Sequence, residues 1–363
     1  MTQSEIVHQR LYNHQLLTPT KSQPEQVVAW LGAVQAQDYA GAKWSLAQRI
    51  TQATDAAIEQ AFNEGSIIRT HLLRPTWHFV APLDVRWMLM LTAPRVHALN
   101  ASYYRKAGLD EATLARSHEV LIQALQGNQH LTREELFVAW EKSGITTQGE
   151  LRVAYLLMHA ELAGIICSGA RRGKQFTYAL LEERIPPAPP LTREEALVEL
   201  VKRYFFSHGP ATVHDFVWWS GLTVADAKAG VEMAGQALMQ TTINDKQYWH
   251  DAAAPLCGQQ LPVAYLLPTY DEFLLSYSDR SASLNEQDAH MWNGVSSLFT
   301  SSIVIDGRVV GVWRRTLRKR TVEIEAKFFR HLSEREEQAF LAATQRFGEF
   351  LDAAVVLKSI AWM

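Results

Sequence analysis

Two glutamines one residue apart, Gln35 and Gln37, with Asp38 directly after them, concentrate the polar chemistry of an otherwise apolar stretch, WLGAVQAQDYAGAKW, from Trp30 to Trp44. Each carboxamide both donates and accepts, so two that converge can hold a water or a neutral polar edge in one orientation without ionising. Convergence depends on the backbone. From Pro24, a favoured first helical residue, Val27, Val28, Leu31 and Val34 recur at helical spacing, and PEQVVAWLGAV reads as an amphipathic helix. If that helix ran on, Gln35 and Gln37 would point about 200° apart. If the chain becomes extended at Gln35, residues i and i+2 share a face and the carboxamides meet. Gly41, two residues past Tyr39, suits a turn by which the helix is left. A plainer reading has both glutamines capping the helix end on nearby backbone. Asp38 can stabilise a cationic centre or take a proton, although its i+1 position sends it to the opposite face of an extended segment.

The stretch RTHLLRPTWHF places Arg69, His71, Arg74 and His78 among apolar residues. On a strand, Arg69 and His71 share one face and Arg74 and His78 the other, so the four do not form one cluster. They serve either as polar faces of a half-buried hairpin or as contacts to phosphate. His71 and His78 lack a carboxylate at ligand spacing, so neither a metal nor a cofactor is expected. Two basic runs stand out elsewhere: GARRGK, with Arg171, Arg172 and Lys174, and WRRTLRKR, with Arg314, Arg315, Arg318, Lys319 and Arg320. Each is either a solvated loop or a phosphate contact, and the second, the denser, favours phosphate. In PTYDEFLLSYSDR, the acids Asp271, Glu272 and Asp279 beside Arg280 point to a buried Asp–Arg pair that fixes the fold. Trp218, Trp219 and Trp313 read as core, and His208 and His214 as caps around Gly209–Pro210.

The elements that must position these residues follow from pattern. The 363 residues have a hydrophobic share of 47% and a net charge of -3, which suits a folded chain of several domains and leaves nucleic-acid binding to local basic patches. Cys167 and Cys257 are far apart without metal-ligand spacing, which fits a reducing cytoplasm. MTQSEIVHQR lacks the pattern of a secretory leader, and no run approaches the roughly 20 apolar residues of a membrane span. Prolines 186, 187, 189 and 190 mark a linker, after which Thr192 and Glu195 form a capping box.

Three stretches share a plan of short helices followed by a hairpin, the layout of a winged helix. In the middle one, ARSHEVLIQALQG, REELFVAWEKSG (capped by Thr132) and the helix ending at Gly164 precede IICSG and KQFTYAL. The third runs from EALVELVKRYFFSHG to a hairpin turning at NDK, and the first leads into SIIRTHLLRPTWHFVAP. The expected chain is therefore mainly α with small β-hairpins, an α+β protein of tandem winged helices. Its units are 1–110 with the two glutamines, 111–185, 191–257, and a β-rich subdomain with a closing helix at 258–363. In that last unit SSIVIDGRVVGVWRRT turns at Asp306–Gly307 and KRTVEIEAKFF adds a strand.

With VQAQD after the first helices, then IIRTHLLRPTWHFV, and late PTYDEFLLSYSDR and VIDGRVVGVWRR, the chain resembles the AlkZ-type family of bacterial winged-helix DNA glycosylases over nearly its whole length. That family carries a Gln-aliphatic-Gln motif in one branch and Gln-x-Asp in the other; Gln35, Ala36 and Gln37 match the first, with alanine as the smallest aliphatic residue. The resemblance implies hydrolytic excision of N-alkylated purines, mostly N7 adducts, from double-stranded DNA; the cysteine usage and start of the chain suit a cytoplasmic, nucleoid-associated protein, and one chain with three winged helices could embrace DNA as a monomer. Gln35 and Gln37 would position the water, with Asp38 beside them. No lysine stands in the motif, so water rather than a Schiff base is the expected nucleophile. Arg69, Arg74 and the two basic runs are the candidate DNA contacts. The alternatives are a non-catalytic winged-helix regulator and a protein-interaction scaffold.

Overall fold

The structure is a computed structural model and describes residues 2–149, 151–254, 262–285, 287–290 and 301–362. Cys257 and the expected boundary at 257/258 lie outside the described residues.

One order of elements, helix, strand, helix, helix, strand, strand, occurs three times. In the first pass Pro24–Leu31 leads to the strand Val34–Gln35, helices Tyr39–Ala47 and Asp55–Glu64, and the hairpin Ile68–Leu72 with Thr76–Val80. The second runs through Glu111–Leu125, Leu131–Thr132, Arg133–Lys142, Arg152–Leu162, Ile166–Ser168 and Thr177–Leu180. The third has Arg193–Ser207, Val213–Ser220, Val224–Ala234 and the hairpin Leu238–Ile243 with Lys246–Asp251, and its short strand is reduced to an isolated bridge from Ala211 to Trp249. In every pass the short strand pairs antiparallel with the last one: Val34 opposite Phe79, Leu131 opposite Tyr178, Ala211 opposite Trp249. Tandem winged helices are thus the architecture. Local chemistry starts the helices, because Thr132, Thr192, Thr212 and Thr223 each close a capping box with the acid three residues on.

The fourth region is a five-stranded sheet in the order Ala354–Trp362, Thr321–Phe328, Arg308–Leu317, Ser302–Ile305, Ala264–Leu267, antiparallel except for the first pair. The helix Glu334–Leu351 covers it with Phe340, Ala343, Phe347 and Phe350. The hairpin at Asp306–Gly307 and the third strand lie where the residue pattern puts them; the flanking strands at 264–267 and 354–362 do not follow from it, and the covering helix does not end the chain. A second departure is the helix Tyr39–Ala47. Gly41 lies inside it rather than at a turn, because the Asp38 carboxylate caps the helix on the Gly41 N–H at 3.1 Å. Every residue of the helix except Ala40 is buried, so it carries no amphipathic signal.

The cores do not respect the three passes. Val27, Leu31, Val34, Trp44 and Phe62 pack with Trp313, Ile324 and Phe347 of the C-terminal sheet and helix. The first hairpin, through Ile68, Leu72, Leu73 and Val80, joins instead the core of the second and third passes. The helix Gln3–Asn13 places Ile6, Val7 and Leu11 against the C-terminal sheet, while Arg10 and Asn13 donate to the carbonyls of Pro210 and Gly209. A 22-residue helix, Val85–Lys106, links the first pass to the second.

Candidate active site

The chain leaves its helix at Gly32, whose φ of 81° is open to glycine, and is extended by Val34–Gln35. Gln35 pairs across the ladder with His78, which pairs with Thr70, so these three face one side of the sheet. Arg69, His71, Trp77 and Phe79 face the other: the Arg69 guanidinium lies 4.3 Å from the Trp77 ring centre and the His71 and Trp77 rings are 4.5 Å apart. His71 Nδ1 bonds the buried Glu161 carboxylate. Arg69 donates to the Ala36 carbonyl at 3.1 Å, and burial lowers its pKa to about 10, so it stays protonated at neutral pH.

Both glutamines engage the hairpin. Arg74, at its tip, donates Nη2–H to Gln35 Oε1 at 2.9 Å and Nη1–H to the Trp218 carbonyl at 3.2 Å. Trp77 donates its backbone N–H to Gln37 Oε1 at 3.4 Å, beside the Ala36 N–H bond to the Trp77 carbonyl. Gln35 is buried and Gln37 exposed. The Gln35 N–H is taken by Glu272 Oε1 at 2.7 Å, a residue 237 positions along the chain. Glu272 is fully buried and also accepts from Ser276 Oγ at 2.6 Å and Trp219 Nε1 at 3.1 Å. Burial alone would raise its pKa; His208, Ser276 and the Gln35 N–H outweigh burial and hold it at about 2. Burial lowers the pKa of His208 and takes His78 down to about 3, so both rings are neutral at physiological pH.

Just before Glu272, Tyr270 takes a left-handed φ of 65°, a costly conformation for an aromatic residue, and Asp271 caps the short helix Glu272–Leu275. Asp271 forms a two-pronged pair with Arg49, at 2.8 and 3.0 Å, and accepts from Ser45 Oγ at 2.7 Å. A buried Asp–Arg pair thus exists, but its arginine is Arg49; Arg280 donates to the Leu274 carbonyl and Asp279 pairs with Lys246. Asp38 caps its helix, and its carboxylate lies 3.8 Å from Arg315 of the C-terminal sheet.

The other basic residues divide by what they already hold. Arg171 is turned back into the protein: it donates to the Lys174 carbonyl at 2.6 Å, lies 3.4 Å from Glu59, and covers the Tyr39 and Phe176 rings. Arg172 pairs with Glu135 at 2.8 Å and Arg318 with Glu323 at 3.0 Å, both at the surface. Arg314, Lys319, Arg320 and Lys174 are exposed and, among the described residues, have no ion-pair partner. Also among the described residues, no group of three His, Cys, Asp or Glu side chains is arranged to hold a metal ion, and no helix is long and apolar enough to cross a membrane.

Residues 28–350 match a family described as DNA glycosylase AlkZ-like. This chain belongs to the AlkZ-like DNA glycosylase family. A relative from Streptomyces sahachiroi, named an interstrand DNA cross-link repair glycosylase, is 26% identical over 324 residues, 82% of this chain and 84% of its own. The solved structure of Streptomyces sahachiroi DNA glycosylase AlkZ superposes with a TM-score of 0.80 over the full length of both chains at 20% identity. The AlkZ-like fold therefore extends over all four regions. Within it, pattern alone singles out Gln35, Gln37 and Asp38 but misses the carboxylate of Glu272 as their anchor. Its only signal is an acid inside the apolar run DEFLL, which burial would make costly without partners.

Proposed function

We propose that this chain excises N-alkylated purines, mainly N7 adducts, from duplex DNA by hydrolysis, with Gln35 and Gln37 positioning the water. The observation that supports it is the strand exit at Gln35, where two carboxamides stand one residue apart, Gln35 at the strand end and Gln37 in the bend after it, held by Arg74, Trp77 and Glu272. Such groups suit this lesion. An N7-alkylated purine already carries a positive charge, so it departs without a general acid. As C1′–N9 breaks, its electron pair neutralises the base; the water oxygen bonds C1′, and the proton it sheds passes to solvent. The protein's share is to preorganise the water and tolerate an oxocarbenium-like sugar, which fixed dipoles do without reorganising.

Arg314, Lys319, Arg320 and Lys174 are the proposed phosphate contacts, because their charges are exposed and, among the described residues, have no ion-pair partner. Arg315, beside Asp38, ties the C-terminal strand to the glutamine segment. The chain acts in this reading as a cytoplasmic, nucleoid-associated monomer whose successive winged helices embrace one duplex.

Base release from duplexes carrying one N7-methylguanine, one bulky N7 adduct or one interstrand crosslink, under single-turnover conditions, tests the reading. The crosslink is included because the Streptomyces relative is named for it. Release well above the spontaneous rate that collapses in Gln35→Ala and Gln37→Ala supports it. Tight DNA binding without release on any substrate would point to a regulator, and the lack of salt-sensitive DNA binding to a scaffold.

A further inference from the structure

Arg74 is a candidate DNA contact by its charge, and in the structure its guanidinium is held by Gln35 and the Trp218 carbonyl. A guanidinium has only donors, so the atom of Gln35 that faces it must be the carbonyl oxygen, whichever way the amide is drawn. The contact, 2.9 Å, therefore fixes the flip of the carboxamide. Gln35 Oε1 is spoken for, and the backbone N–H of the same residue is held by Glu272 at 2.7 Å. What remains is Nε2, which makes no hydrogen bond within the described chain and is not among the buried polar atoms that lack a partner, so it is open to an incoming group. Arg74 is itself fixed. Its Nη1–H bonds the Trp218 carbonyl, and the preceding carbonyl, of Leu73, packs on Gly221, where a Cβ would approach it to 2.8 Å. Gln37 stands in contrast: exposed, its oxygen met only by a long 3.4 Å bond from Trp77, it keeps an acceptor free.

We propose that Arg74 is a positioning residue that splits the glutamine pair into a donor, Gln35 Nε2–H, and an acceptor, Gln37 Oε1. This rests on the glycosylase reading above and gives each carboxamide its own task. A water that accepts from Gln35 and donates to Gln37 keeps one lone pair for C1′ and one O–H for solvent. Bonds made and broken are those already given; Arg74 touches neither the water nor the nucleotide.

The test is single-turnover release of N7-methylguanine with Arg74→Met, Arg74→Lys, Gln35→Ala and the Arg74→Met/Gln35→Ala double variant, with DNA affinity and its salt dependence measured in parallel. Arg74→Met is expected to slow release at saturating enzyme by about 10- to 100-fold, the scale of a misplaced reacting group, with the dissociation constant and salt slope unchanged. The loss disappears when Gln35 is already alanine, because the two act as one unit. Arg74→Lys, which keeps one donor, recovers part of the rate. Gln35→Glu, which removes the donor, falls as far as Gln35→Ala, whereas Gln37→Glu, which keeps an acceptor, loses far less than Gln37→Ala. Weakened binding with a salt slope reduced by about one and an unchanged rate would make Arg74 a phosphate contact and overturn the proposal, as would additive losses in the double variant. A second readout needs no activity. In 15N-glutamine spectra the Gln35 side-chain NH2 pair, identified by its disappearance in Gln35→Ala, shifts in Arg74→Met if the lock exists and stays put if it does not. Should wild type release no base, the glycosylase reading falls, while the lock is still decided by that spectrum.

Discussion

The same junction, from a short strand into the second helix of a winged helix, is built three times in this chain and only once carries the glutamines. In the second and third passes the cap comes at once: Thr132 ends its strand and caps its helix, and Thr212 follows Ala211 directly. In the first pass Ala36 and Gln37 intervene between the strand residue Gln35 and the cap Asp38. The two added residues set the carboxamides apart from the capping that Thr132 and Thr212 perform, and their oxygens accept instead from Arg74 and from the Trp77 N–H. The comparison teaches that a winged helix becomes a candidate active site by lengthening one junction and anchoring it from distant segments, rather than by new architecture.

The most severe way to break the comparison is to shorten the first junction to match the others. Deleting Ala36 and Gln37, or replacing either glutamine by alanine, is expected to lower single-turnover base release by about 10²-fold or more, the scale of losing one preorganised hydrogen-bonding group. DNA affinity measured in the same preparations should hold. A shortened junction that still cleaves would detach the chemistry from this segment.

Glu272→Gln is next in size. The carboxylate accepts three bonds at 2.6 to 3.1 Å, and glutamine accepts with one oxygen only, so a loss of about 2 kcal/mol is expected in denaturant unfolding. Release should slow with it, because the Gln35 N–H loses its anchor. The reciprocal experiment sits at the other junctions: Thr132→Ala is expected to cost about 1 kcal/mol of stability while leaving base release intact.

Acid should attack the anchored junction in two windows. His14, His78 and His208 are fully buried with pKa lowered first by burial, so the folded state keeps them neutral while the unfolded chain binds protons below about pH 6.5. Stability therefore falls as pH drops through 6.5, by up to about 1.4 kcal/mol per pH unit for each histidine. Glu272 works lower. With its folded pKa at about 2, its contribution is present above the ordinary carboxylate range near 4.3 and is lost as pH falls toward 2. Melting temperatures from pH 8 to 4 check the first window; in His78→Gln the slope between pH 6.5 and 5 should be shallower.

The smallest effect belongs to the exposed cations. Exchanging Arg314, Lys319 and Arg320 for glutamine should weaken duplex binding and reduce the salt slope by about 2.7, at roughly 0.9 per phosphate contact. Release at saturating enzyme should not change. An unaltered salt slope would move the DNA path away from the C-terminal hairpin.

Much of the frame was legible before any coordinates because its signals are local. Thr132 with Glu135 and Thr192 with Glu195 start helices by bonding backbone three residues away, and Asp306–Gly307 makes a turn by its own positive φ values. The helix Tyr39–Ala47 was not legible, because burial of every residue but Ala40 erases the amphipathic period. The strand Ala354–Trp362 escaped for a related reason: it is an edge strand with both faces largely exposed, so alternation of polar and apolar residues has nothing to report.

The candidate site divides the same way. By itself the sequence determined that Gln35 and Gln37 lie one residue apart, that extension would bring them to one face, and that the chain belongs with winged-helix glycosylases. Only the tertiary structure decided what the glutamines can offer. Arg74 comes from the hairpin 39 positions away and Glu272 from 237 positions away, and it is their arrival that occupies the oxygen and the backbone N–H of Gln35 and leaves its amide hydrogens. Hydrogen-bonding capacity is a property of residue type, and a sequence states it in full; which part of that capacity is already used depends on neighbours that only folding brings together.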